Sequence, residues 1–477
     1  MTSPPAKNSQ PTRVRFGVLA FVCSLAMITY LDRVCFGHAA PIIVSELGLS
    51  GIGDLKWAMT AFVFAYGVFE IPSGWMGDVF GPRVTLIRIV LLWSIFTALT
   101  ALVGISWGTA AFGLGTLICI RFLFGAGEAG AFPNLTRALH NWFPAGERGM
   151  AQGLMWMSGR IAGGLTPLIW TILVAGTAYT PALMSWRGAF ILFGSLGLVW
   201  CIAFAWWFRD KPADKPELND AERALIAHNE APPSGHERVP WGSFLRSKNV
   251  WLLCLMYFCV GYGWYFNISY LPSFLKEQYG VQDNSLLGAL YKGGPLWFGA
   301  VGCLVGGWFT DWYIRRTGDQ RLGRRLMGMT GHALCGTCYC GAIFARDALS
   351  VSLLISLAAF FNDLTLASAW ATCQDIGRRY AAITAAIMNT VGSLGAAATG
   401  WLIGDILQTS VRMRAETLGV TVEMLSKEDK NQAMLSGYHI NFICFAVMFG
   451  IASICWWWMD PTQPVVKDSD AKKSATP

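Results

Sequence analysis

Arg121 and Glu128 are ionisable residues inside an apolar run of roughly 108–132. Such a run is long enough to cross a bilayer, which takes about 20 residues. Seven positions apart on a helix, their side chains share one face, about 10 Å apart along the axis. That gap is too long for a direct pair, so each charge is expected to meet a cavity or a partner on another helix. A charge at mid-bilayer is unfavourable by about 2.5–3.5 kcal/mol or more and marks a functional site by default. Asp32 and Arg33 lie the same way inside the first apolar run, about 15–37. Adjacent helical residues point about 100° apart, so these two need not pair with each other. Arginine keeps its charge and grips a carboxylate bidentately, so Arg33 and Arg121 could offer positive charge to an anion. Arg160, in Ser158-Gly159-Arg160-Ile161-Ala162-Gly163, is a third such group, either a further anchor for a second carboxylate or a partner for Glu128. Burial raises a carboxyl pKa and a neighbouring arginine lowers it. A carboxyl balanced between the two can load and release a proton as its surroundings change.

The elements that would hold these groups follow from composition. Of 477 residues, 54% are hydrophobic and 14% charged. Soluble domains carry about 25% charged residues, so the chain reads as a polytopic membrane protein. Twelve apolar runs are candidate spans, at about 15–37, 57–77, 84–104, 108–132, 148–173, 187–208, 250–275, 286–313, 325–345, 349–373, 381–407 and 437–459. The reading is all-α, twelve transmembrane helices in two pseudo-symmetric six-helix halves. The halves are 14–208 and 250–460, joined by a polar linker at 209–249 in which Asn219-Asp220-Ala221-Glu222 starts a short helix. The tails, 1–13 and 461–477, are polar and expected to be disordered.

With both termini placed inside, most Lys and Arg fall in inner loops, including Arg315, Arg316, Arg321, Arg324, Arg325, Arg378 and Arg379. The positive-inside rule then orients the chain with cytoplasmic termini in a cell inner membrane. The net charge of +7 is thus a matter of topology rather than of nucleic-acid binding. Many of the 22 tryptophans lie near span ends, as interface belts require. The 13 cysteines sit almost all within apolar runs and read as small core hydrophobes. Cys335, Cys338 and Cys340 beside His332 have a superficial metal spacing but no second ligand cluster. Neither a phosphate-binding P-loop nor a His-Glu-x-x-His site is present. No enzyme, primary pump, cofactor, metal or nucleic-acid partner is therefore expected, and the monomer is the expected working unit in its bilayer.

A repeat links the halves. Gly74-Trp-Met-Gly-Asp78-Val-Phe-Gly81-Pro-Arg83 closes the second span, and Gly307-Trp-Phe-Thr-Asp311-Trp-Tyr-Ile-Arg315-Arg316 closes the eighth. Paired halves are a mark of secondary transporters. The first of these stretches resembles the loop signature of the major facilitator superfamily. Within it, the chain is similar to the anion:cation symporter family from about Arg15 to Trp458. The marks are Tyr30-Leu-Asp32-Arg33, Arg121 to Glu128 with Ala129-Gly130-Ala-Phe-Pro133-Asn134, and Pro216-Glu217-Leu-Asn-Asp-Ala-Glu222.

The resemblance implies a proton-coupled symporter of a small organic anion, a sugar acid such as a hexuronate, galactonate or glucarate. Two halves would rock about a midplane site. By resemblance Asp32 and Glu128 match the protonatable carboxylates, and Tyr30, Tyr66, Trp370 and Asn389 match substrate contacts. Arg160 falls at a position that often carries a polar substrate contact. Asn389, Thr390 and Ser393 put polar groups on a glycine-rich span, suited to sugar hydroxyls. Gly74, Asp78, Gly81 and Arg83, echoed at Asp311, would form a charge-relay latch. Asp363 is expected in packing and Asp375 at an inner gate, with Lys292 near the outer end of the eighth span. The rival readings are a sodium-coupled or phosphate-type carrier of the same family, and an anion sensor that does not transport.

Overall fold

In hydrocarbon every backbone N–H and C=O must find its partner within the protein, and a helix achieves this locally. The computed structural model describes residues 10–49, 52–104, 110–176, 181–226, 239–282 and 286–466, and among them there is no strand. The first six spans use α1 (Val14–Glu46), α2 (Lys56–Phe80), α3 (Pro82–Thr100), α4 (Ala110–Glu128) with its continuation α5 (Ala131–Trp142), α6 (Arg148–Trp170) and α7 (Trp186–Trp207). Two short helices follow, α8 (Asp220–Ile226) and α9 (Trp241–Arg246). The second six use α10 (Lys248–Ser269) with α11 (Leu271–Tyr279), α12 (Leu286–Thr317), α13 (Gln320–Ala342), α14 (Ala348–Gly377), α15 (Ala381–Leu418) and α16 (Lys427–Trp458).

Among the described residues, eight stretches are long and apolar enough to cross a membrane by length and composition alone, one of them holding both α14 and α15. The other three spans, α2, α12 and α13, carry ionisable residues such as Glu70, Asp78, Asp311 and Arg324. Outward faces are apolar, as lipid contact demands; Val199 and Ile202 on α7 are 64% and 72% exposed.

The residues form two compact units: Met1–Ser243 with Trp370–Ile387 and Gln463–Pro477, and Phe244–Ala369 with Met388–Thr462. In the first, α1 packs on α6, α2 on α4, and α3 on both α4 and α7. Its apolar core includes Cys35, Phe36, Ala39, Trp186, Phe190 and Phe193. In the second, α16 packs on α10 and α13.

Several edges differ from expectation, each for a local reason. The fourth span does not run unbroken through 108–132. It ends at Glu128 and resumes at Ala131, with Gly130 between them at φ +82°. A Cβ on Gly130 would lie 2.3 Å from the Ser73 Cβ, so only glycine lets α2 come this close in a left-handed turn. Asn134 secures the turn by donating Nδ2–H to the carbonyls of Gly130 (2.8 Å) and Ser73 (3.1 Å). The tenth span continues to Gly377, so Asp375 lies within the helix instead of after it. Residues 461–466, expected to be disordered, are placed: buried Val465 donates its N–H to the Ile376 carbonyl at 2.8 Å. The remainder of that tail, and residues 1–9, lie outside the described residues.

The linker helix forms as its sequence suggests, with the Asn219 Oδ1 capping the Glu222 N–H at 2.9 Å. Glu222 then caps the start of α1. Its carboxylate accepts from Thr12 Oγ1 (2.6 Å), Val14 N (3.2 Å), Arg15 N (3.3 Å) and Arg15 Nη1 (2.8 Å). An acid at a helix N-terminus is the favourable sign for the helix dipole. Burial alone would raise its pKa, but the donors from Thr12, Arg15 and Val14 outweigh it and hold Glu222 below the ordinary glutamate value.

Candidate functional site

The first unit concentrates charge where α1, α2, α4 and α6 meet. Tyr30 and Arg33 are one helical turn apart on α1 and so share a face, whereas Asp32 points elsewhere. Arg33 donates Nε–H to Glu128 Oε1 at 2.6 Å. Glu128 is fully buried, and among the described residues its second oxygen has no hydrogen-bond partner. The Arg33 guanidinium also lies 4.7 Å from the Tyr66 ring centroid and 5.9 Å from those of Phe62 and Phe132. Asp32 is 2% exposed and faces Trp93 and Thr97 on α3. Neither of its carboxyl oxygens has a hydrogen-bond partner among the described residues.

Arg121 shares the buried face of α4 with Glu128 but does not pair with it. Its guanidinium lies over three rings, Phe36 at 4.1 Å, Phe62 at 4.7 Å and Phe124 at 4.8 Å. Each such contact contributes about 0.5–2 kcal/mol. Rings stabilise a cation without neutralising it, and among the described residues no carboxylate forms an ion pair with Arg121. The side chain is 6% exposed. Gly125 makes this possible. A Cβ there would stand 2.4 Å from the Phe62 carbonyl oxygen, so α2 and α4 approach only because it has none.

Arg160 on α6 donates Nη1–H to the Tyr30 hydroxyl at 2.8 Å. Tyr30 lies against Gly159 and Gly163, and a Cβ on Gly159 would come 2.7 Å from the ring. Phe132 stacks on Trp156 at 4.5 Å, and Trp370 lies 5.0 Å from Trp156. Tyr30, Arg33, Tyr66, Arg121, Glu128, Arg160 and Trp370 thus share one aromatic-lined region of the first unit. Asn389 and Ser393 belong to the second unit, one turn apart on α15. The Ser393 hydroxyl donates to the Asn389 carbonyl at 3.1 Å, leaving its oxygen as an acceptor.

The motif at the end of α2 forms a second charged group in the first unit. Asp78 accepts from the backbone N–H of Ala382 (3.1 Å) and Ile383 (2.7 Å), and lies 3.5 Å from Arg137 of α5. Gly74 gives the start of α15 its room, since a Cβ would meet the Ala386 Cβ at 2.7 Å. Gly81 ends α2 at φ +89° against the Asp210 carboxylate. Arg83 does not serve Asp78; its backbone N–H binds Asp210 at 2.8 Å and its Nη2 the Ala205 carbonyl. Asp375 takes Arg148 at 2.9 Å. Arg378 adopts φ +46°, rare for a non-glycine, with its carbonyl held by Arg137 Nη1 at 2.7 Å. The echo in the second unit is partial. Asp311 lies 3.5 Å from Arg324, both fully buried, but Arg324 comes from α13, the next span, and not from the position matching Arg137.

Sequence reasoning missed Glu70, Arg137 and Arg148. Glu70 is fully buried one turn after Tyr66, and the signal was in plain view as a lone carboxylate within an apolar span. Arg137 lies beyond the end of its apolar run and Arg148 is the first residue of the next, and only long-range contacts identify their partners. Elsewhere all thirteen cysteines are free thiols, and His332 takes Thr365 as its partner at 3.0 Å.

Residues 22–400 match the family described as Major Facilitator Superfamily. The chain is 34% identical over 400 residues to a probable sulfoacetate transporter, SauU, of Cupriavidus necator, covering 83% of this chain and 88% of that protein. It is 28% identical over 398 residues to a hexuronate transporter of Bacillus subtilis, covering 81% and 87%. Among solved structures, the proton:xylose symporter XylE bound to 6-bromo-6-deoxy-D-glucose superposes with a TM-score of 0.67 over 93% of this chain and 95% of that one. At 14% identity that likeness concerns the fold alone. A match of this extent in sequence and fold leads to one conclusion: this chain belongs to the Major Facilitator Superfamily of multi-pass membrane transporters.

Proposed function

We propose that this transporter, which is not an enzyme, takes up a small organic anion by proton-coupled symport and alternating access. The cargo is a sugar acid or an acid of similar size. The observation that carries the reading is Arg121, a buried guanidinium ringed by Phe36, Phe62 and Phe124 rather than by a carboxylate. Such a cation is held in place without an ion-pair partner among the described residues, which suits a visiting anion. Relatives named for sulfoacetate and hexuronate transport support an acidic cargo.

Arg33 and Arg121 dock the carboxylate. Tyr30, Tyr66 and Trp370 flank it. Glu128 and Asp32 carry protons. The coupling logic lies in the 2.6 Å bond between Arg33 and Glu128. An arriving anion competes for the same guanidinium, and a Glu128 that gives up Arg33 in a buried setting takes a proton instead. Gly74, Asp78, Gly81 and Arg83, with Asp311 in the second unit, act as gating elements. Asp78 ties α2 to the start of α15 through two amides, a contact that a moving helix must break. The transporter lies in a cell inner membrane with both termini cytoplasmic and works as a monomer. An inward potential contributes about 2.3 kcal/mol per net charge per 100 mV.

Purified protein in liposomes tests this directly. Labelled sugar acids should accumulate when the interior is alkaline, with no dependence on a sodium gradient. Accumulation driven by sodium alone would move the protein to the rival carrier class. Binding without accumulation under any gradient would make it a sensor.

A further inference from the structure

We infer that Trp93 is the positioning residue for the proton on Asp32. Its indole N–H, together with the Thr97 hydroxyl, receives the Asp32 carboxylate once that proton has left. The inference rests on the reading of Asp32 as a proton carrier and goes beyond it by naming what holds the charge of the unloaded form.

The first observation is a pair of unmet hydrogen-bonding needs that face each other. Asp32 on α1 is turned to α3, and both of its carboxyl oxygens lack a hydrogen-bond partner among the described residues. Trp93 on α3 is 1% exposed, and its Nε1 lacks one as well. A buried donor left unmade is rare in proteins. An indole can only donate and an ionised carboxylate can only accept, so each is what the other needs. Trp93 has little room to recede, because α4 packs against its backbone. A Cβ on Gly127 would lie 3.1 Å from the Trp93 nitrogen.

The second observation is Thr97, one turn further along α3 and also buried. Its hydroxyl donates to the Trp93 carbonyl at 2.9 Å, so it turns a lone pair rather than a proton to Asp32. A lone pair suits a carboxyl that carries its proton. When the proton leaves, rotation about one bond brings the hydroxyl from the Trp93 carbonyl to the carboxylate. Charge supplies no alternative. The ionisable groups that face Asp32 are Glu128 of α4 and Cys35 of its own helix, and neither is a cation. Arg121 of α4 acts on Cys35, Arg88 of α3 binds Ser73, and Arg137 of α5 lies beside Asp78. Arg160 of α6 binds Tyr30, and Arg187 of α7 binds Glu46. Neutral donors from α3 are therefore what the chain offers to the charge of Asp32.

Infrared difference spectroscopy on the protein in liposomes reads the proton itself and needs no cargo. A carboxyl C=O band that appears on acidification and is absent in Asp32→Asn reports Asp32. Trp93→Phe keeps an aromatic ring and loses the N–H. There the midpoint of that band should move to higher pH by about one to two units, the value of one hydrogen bond to a charged group. Thr97→Val should move it in the same direction, and Thr97→Ser should restore it. A merely structural Trp93 would lower the melting temperature and leave the midpoint in place. A wild-type midpoint in either folded variant overturns the inference, so Thr97→Val decides alone if Trp93→Phe does not fold. If no band is lost in Asp32→Asn, Asp32 carries no proton, and the proton-carrier reading fails together with the inference built on it.

Discussion

Glu128→Gln separates the two roles that the buried carboxylate combines. Removing one partner of a buried ion pair typically destabilises by about 3–5 kcal/mol, because the other charge is left uncompensated. Here the loss should be smaller. Glutamine keeps a carbonyl oxygen where Arg33 Nε donates at 2.6 Å. Arg33 also retains its place over Tyr66 at 4.7 Å, and its side chain is 28% exposed and so partly hydrated. What remains is the difference between a charge-assisted and a neutral hydrogen bond, about 1–2 kcal/mol. The variant should therefore fold and melt slightly earlier in detergent. Its transport should change far more. One pH unit is worth about 1.4 kcal/mol per coupled proton, or a tenfold concentration ratio, and a glutamine cannot collect that proton. In liposomes with an alkaline interior, accumulation should drop by about tenfold per pH unit of gradient relative to wild type. Substrate exchange at equal pH, which needs no net proton movement, should persist. A folded Glu128→Gln protein that concentrates its cargo as steeply as wild type refutes the assignment of Glu128 as a proton carrier. One that binds nothing shows that the carboxylate holds the cargo site together.

Three further outcomes follow from the contacts described. Arg121→Ala should lower cargo affinity by roughly ten- to a hundredfold, the value of a charged hydrogen bond, measured by thermal shift or equilibrium binding. Gly130→Ala combines a left-handed φ of +82° with a Cβ 2.3 Å from Ser73, so it should destabilise by about 1–3 kcal/mol or more and lower the melting temperature of purified protein. Unchanged melting would mean the turn can relax. The Glu222 clamp should depend on pH with a definite sign. Its folded pKa is depressed, so its contribution is complete above the unfolded glutamate value of 4.5 and fades as pH falls through the lower folded value. Hydrogen-exchange protection at residues 12–15, corrected for intrinsic rates, should fall in that acidic window, and in Glu222→Gln it should be low at every pH.

The spans were legible because hydrocarbon leaves a backbone few choices, and twelve apolar runs could only become helices. The interruption at Gly130 was not, since it depends on Ser73 approaching from α2, 61 residues away from Asn134 in sequence. Charge followed the same division. A spacing of seven showed that Arg121 and Glu128 would look outward from their own helix. That Glu128 meets Arg33, 95 residues earlier, is a fact of packing that no local pattern encodes. The divergence of Asp32 from Arg33 was readable from helical geometry, and the structure turns them toward α3 and α4 respectively. Glu70 is the instructive omission, because the information needed to find it was present. A charge inside a bilayer is unfavourable enough that each intramembrane carboxylate is a candidate site residue in its own right. By that rule Glu70 stands beside Asp32 and Glu128, and the structure buries it one turn after Tyr66.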